Sequence, residues 1–131
     1  MQLITQGLRP IIVPIIVLFL LAACGGSSGA GDPAETVERY LTAKVASDRD
    51  TVQSLLCSEL EANLPIEAGA FASVSDARIE DMACARDGDT DRVTCSGTIV
   101  ATYGTEATEF PLTAYRIVQE DGEWKWCGET G

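Results

Sequence analysis

The chain has 131 residues, five cysteines, no histidine and a formal net charge of −11. That length allows one small domain. The lack of histidine excludes Ser-His-Asp and Cys-His nucleophile pairs, a histidine base and histidine metal ligands. The acidic balance argues against nucleic acid, whose phosphates need a basic surface.

Pro10 to Ala23 is uniformly apolar, Arg9 precedes it and no acid occurs before Asp32. This is the charged n-region and apolar h-region of a secretory signal. The run is too short for a comfortable membrane span of about 20 residues. It closes on Leu21-Ala22-Ala23-Cys24, which resembles a bacterial lipobox: a branched apolar residue, two small ones, then cysteine. The resemblance implies diacylglyceryl transfer to the Cys24 thiol and cleavage before it. Residues 1–23 are thus expected to be a cleaved lipoprotein signal peptide, and Cys24 a lipid anchor. Several acyl chains on one cysteine turn a secreted protein into a tethered one.

Gly25 to Asp32 reads GGSSGAGD, so residues 24–32 are expected to be a flexible tether. Beyond residue 23 the chain keeps eight bases against twenty acids, a formal balance of −12. Anionic headgroups should repel such a domain.

Cys57, Cys84, Cys95 and Cys127 remain. Export places them in an oxidising compartment, where an even number predicts disulfides. Their spacing fits no zinc site. Three pairings are possible. Cys84 faces Cys95 if Asp89-Thr90 is the centre of the turn between them, which leaves Cys57 for Cys127.

Residues 33–131 read as one domain. Asp32-Pro33-Ala34-Glu35 is a helix start, and Val37, Tyr40, Leu41 and Val45 follow at helical spacing. A second helix is expected from Asp50, with Val52, Leu55, Leu56 and Leu60 on its apolar face and Pro65 stopping or bending the chain. Ile66–Ser75 reads as a loop with at most one helical turn. Arg78–Cys84 is a weak strand. Arg92–Tyr103 alternates as a half-covered strand does. Phe110–Val118 is a third strand, whose apolar set changes phase and so predicts a bulge and a bent sheet. Glu120-Asp121-Gly122-Glu123 is a hairpin turn, and Trp124–Cys127 closes the sheet. The class is α+β, with N-terminal helices on a curved antiparallel sheet of four or more strands.

The early helix ending near a D-x-D break, the paired leucines of the second helix and the closing V-Q-E-D-G-E-W-K-W hairpin resemble the nuclear transport factor 2-like superfamily. The chain is similar to small bacterial lipoproteins with such domains and no assigned function. The resemblance covers Pro33 to Cys127. It implies a cone of helices on a bent sheet around a pocket, here short and incomplete or shallow.

Asp87, Asp89 and Asp91 alternate as calcium ligands do, but Arg92 and Thr98 occupy positions where an EF-hand needs Gly and Glu. No metal and no cofactor is expected. Enzymes of the resembling superfamily place Asp, Tyr, His or Arg inside the cone. By residue type alone Tyr40, Tyr103, Tyr115 and Arg116 qualify, yet no pair has an acid–base spacing, so no catalytic residue is assigned. Glu106 and Glu109 read as solvated acids near a strand connection. Trp124 and Trp126 share a strand face and, with Tyr40 and Tyr115, form the candidate ligand or partner surface, although sheet packing is the simpler role for the tryptophans. The expectation is a lipoprotein on the extracytoplasmic side of a membrane, with a non-catalytic binding or accessory role toward an envelope protein or small molecule. The alternatives are a small lyase or isomerase acting in the cone, or a purely structural accessory of a membrane complex.

Overall fold

The computed structural model describes residues 31–131. The signal segment and the lipobox, Cys24 included, lie outside the described residues. Helix α1 spans Pro33–Val45. The Asp32 carboxylate accepts the Ala34 N–H at 2.8 Å, and Pro33 fills the first turn, where no N–H is needed. Val37, Tyr40, Leu41 and Val45 are buried along one face, as their spacing predicts.

Helix α2 spans Arg49–Leu55. Its cap is Asp48 rather than Asp50, accepting from the Thr51 N–H at 3.2 Å and the Thr51 hydroxyl at 2.7 Å. It also ends before Leu60. Leu56 turns extended, forms a parallel bridge with Trp126, and the Cys57 N–H donates to the Trp126 carbonyl at 2.9 Å. A 3-10 turn over Ser58–Asn63 leads into the short α3, Leu64–Gly69, which supplies the helical turn allowed in the loop from Ile66 but begins two residues earlier. Pro65 opens this helix instead of stopping the chain, because proline is tolerated in a first turn.

Five antiparallel strands follow: β1 Ser75–Arg86, β2 Arg92–Tyr103, β3 Glu106–Pro111, β4 Ala114–Glu120 and β5 Glu123–Glu129. The sheet order is β1-β2-β4-β5, and β3 pairs with the second half of β2. The class is therefore α+β, with helices preceding an open sheet. The expected third strand over Phe110–Val118 is in fact the end of β3 and most of β4. From Thr98↔Pro111 to Thr94↔Ala114, four steps along β2 match three along the partner. That register step is the phase change visible in the sequence.

A second shift falls at the same level on the other side of β2, between Glu80↔Thr98 and Ala83↔Ser96. Gly97 sits between them at φ 113, and a Cβ there would lie 2.7 Å from the Glu80 carbonyl oxygen. Only glycine fits that approach. The sheet is bent at this point, and α1 packs against β1, β2, β4 and β5. Tyr40, Val37, Val52, Val93 and Ile117 fill the space between them. Asp121 and Gly122, at φ 52 and 78, form the tight β4–β5 turn.

Two disulfides clamp this arrangement. Cys57–Cys127 joins the segment after α2 to β5, with Cα atoms 5.3 Å apart. Cys84–Cys95 joins directly opposed residues of β1 and β2, with Cα atoms 4.0 Å apart. Both are the pairs expected from the turn at Asp89-Thr90.

Candidate binding surface

The interior is occupied by aromatic side chains. Trp126 stacks on Tyr40 with ring centroids 4.1 Å apart and planes 10° from parallel. Tyr115 lies 6.2 Å from the same ring, tilted by 44°. All three are buried. The Tyr40 hydroxyl donates to Glu67 Oε2 at 2.7 Å, and Lys44 Nζ donates to the same oxygen at 2.7 Å while lying 5.6 Å from the Trp126 ring. Burial pushes the Tyr40 phenol well above its ordinary pKa, and the hydrogen bond to Glu67 and the Glu67 charge act in the same direction. Tyr115 is also raised by burial.

Three of the four residues expected at a ligand surface are therefore core. The physical reason is position in the sheet. Trp126 lies on a strand covered by α1, and a core this small needs large side chains to fill the concave side of a bend. Trp124, two residues earlier on the same face, is half-buried. The Arg86 guanidinium lies 4.8 Å from its ring centroid. Trp124 lines an open cleft of about 330 Å³ with Asp32, Glu35, Arg39, Ser54 and Glu123.

The candidate cone residues do not assemble. Tyr40 and Tyr115 lie beside Trp126, Tyr103 lies exposed at the far end of β2, and Arg116 Nη2 contacts Glu59 and Cys127 Sγ. The acidic turn is self-satisfied: Asp87 accepts from the Thr94 hydroxyl at 3.0 Å and pairs with Arg92 at 3.2 Å. Among the described residues, cysteine and acid ligand atoms converge only at Cys57, Glu59 and Cys127. Both sulfurs there belong to the disulfide.

A different surface stands open. Tyr103 and Phe110 are 45% and 38% exposed, far more than the core aromatics. The Phe110 ring contacts Tyr103 and Phe71 edge-on, with centroids 6.4 and 6.3 Å apart. These rings sit on β3 and its surroundings, and β3 pairs only with β2 among the described strands. Sequence reading placed Glu106 and Glu109 in a connection and so missed most of this strand. Gly104-Thr105, between Tyr103 and Glu106, is the turn signal that marks it. No protein-family model and no curated protein matches the chain.

Proposed function

We propose that the protein is an extracytoplasmic lipoprotein, held to a membrane through Cys24, whose nuclear transport factor 2-like domain has a non-catalytic binding role in the cell envelope. The observation that carries this reading is the cysteine account. Four of five cysteines pair within the domain, which leaves Cys24 as the odd one, at the end of an apolar run. Disulfides of this kind belong to an oxidising compartment. The bent sheet with helices ahead of it supports the cone. Its filling by Tyr40, Trp126 and Tyr115 favours recognition by the outer surface over catalysis inside, since a reacting group needs access to substrate.

Intact mass measurement of the protein purified from membranes tests the anchor. The expected mature chain begins at Cys24 and carries a diacylglyceryl group and an amide-linked acyl chain. An unmodified amino terminus at Cys24, or a mature chain beginning elsewhere, overturns the reading.

A further inference from the structure

We propose that the free edge of β3 is a docking site for an extended basic segment of a partner protein, which would add to the sheet as a strand. The proposal deepens the binding role above but rests on the edge alone, not on the anchor.

The backbone supplies the first argument. The Leu112 N–H donates to the Gly97 carbonyl at 2.9 Å, and the register continues from that pair through Phe110↔Ile99, Thr108↔Ala101 and Glu106↔Tyr103. Hydrogen-bonded pairs alternate along an antiparallel ladder. The even-numbered residues of β3 therefore bond to β2, and Ala107 and Glu109 turn their N–H and C=O groups outward. Pro111 is in the same outward set, where its missing N–H breaks no bond to β2. An outward row of this kind is a template for another strand. The other edges differ: at β5 Leu56 bridges Trp126 and the Cys57 N–H donates to the Trp126 carbonyl, and β1, the strand on the opposite side of β2, gives its Cys84 N–H to Glu38 Oε1 and carries the bases Arg78 and Arg86.

The side chains supply the second. Phe110, Tyr103 and Phe71 form an aromatic ledge beside the edge, able to receive alternate apolar side chains of an added strand. Glu106 and Glu109 are exposed on β3, and β3 carries no base. Across β2, Arg78 is already paired with Glu80 at 2.8 Å. A second copy pairing edge to edge would bring these acids together, and like charges on neighbouring strands are unfavourable. Alternation puts Glu109 on the face opposite Phe110, so a segment alternating lysine or arginine with apolar residues sets its apolar side chains against the ledge and its basic ones on the Glu109 face.

The test uses the full chain, purified as the cells produce it, and an eight-residue peptide of alternating lysine and leucine. A peptide of alternating glutamate and leucine is the control. Fluorescence anisotropy should give binding of the lysine peptide at least tenfold tighter than of the glutamate peptide. Hydrogen exchange should slow at Ala107 and Glu109 on binding. Ala107→Pro removes an outward N–H without touching the β2 ladder and should weaken binding at least tenfold. The double variant Glu106→Lys, Glu109→Lys should reverse the peptide preference. Circular dichroism confirms that each variant is folded, and Phe110→Ser replaces any variant that is not. Failure of the lysine peptide to bind at millimolar concentration, equal binding by Ala107→Pro, or sedimentation as a dimer joined through β3 overturns the proposal. None of these outcomes depends on whether Cys24 carries lipid.

Discussion

The Tyr40 hydroxyl, Glu67 and Lys44 form a polar knot against the stacked face of Trp126. A hydrogen bond to a charged acceptor contributes about 1.5–3 kcal/mol. Tyr40→Phe keeps the stack and leaves Glu67 with Lys44, so a loss near the low end, about 1.5 kcal/mol, is expected in urea unfolding. Trp126→Ala removes the centre of the core and should lose about 3–5 kcal/mol. Trp126→Phe should lose clearly less, because the indole N–H has no acceptor among the described residues and its removal leaves nothing unpaired. The pH dependence follows from the same burial. The folded phenols of Tyr40 and Tyr115 are raised above the ordinary tyrosine value of 10.0. Their neutral forms thus favour the folded state fully below pH 10, and above it the unfolded chain ionises first. Stability should fall as pH rises past 10, and the fall should be shallower in Tyr40→Phe. Urea midpoints taken between pH 8 and 11 measure the difference. A slope unchanged by that substitution would contradict the burial argument.

Among the elements, β2 carries the most information and was the most legible. Its alternation marks Arg92–Tyr103 because Val93, Cys95, Ile99 and Ala101 are buried while Thr94, Ser96 and Thr98 lie between the first three, and only Val100, also buried, interrupts it. The phase change beyond Phe110 was also legible, but only as a bulge. Its origin at Gly97 depends on β1 approaching from the other side, which no local pattern states. For the tryptophans, sheet packing, the simpler role, holds for Trp126, and the sequence does not separate it from Trp124 for a related reason. Alternation places Trp124 and Trp126 on one face, but whether α1 covers that face at each position is a tertiary fact. Gly97→Ala tests the bend: positive φ strain of about 1–3 kcal/mol adds to the clash with the Glu80 carbonyl. A loss of at least about 2 kcal/mol is expected. The disulfides differ in a way that loop length decides. Cys57–Cys127 closes 70 residues of separation and Cys84–Cys95 only 11. Chain-entropy estimates give about 4 and about 3 kcal/mol. Replacing the first pair by alanine should therefore lower the urea midpoint further than replacing the second.

At the scale of the whole molecule, the function proposed above gives the two ends different tasks. Helix α1 begins beside Glu123 and Trp124, at the tip of the β4–β5 hairpin. Tyr103 and β3 lie at the other end of β2, whose 12 residues extend roughly 36 Å at about 3.3 Å each before bending. On the proposed anchor at Cys24, the eight Gly/Ser-rich residues up to Asp32 would have an r.m.s. reach of about 16 Å. They would hold the α1 end nearest the bilayer and leave the β3 edge pointing away. Charge works against close contact there, because Asp32, Glu35 and Glu123 crowd the α1 end and anionic headgroups repel them, so the domain would stand off the surface by the length of its tether. Cys24→Ser is expected to move the protein from the membrane to the soluble fraction. It should leave both disulfides, the urea midpoint and the affinity for the lysine peptide unchanged, since no described contact links the tether to β3. Fractionation and peptide titration of the variant measure the two arms separately. Retention in the membrane would reject the lipid anchor. Release with a loss of peptide affinity would mean that the tethered end and the β3 edge are coupled, against the separation of roles drawn from the geometry.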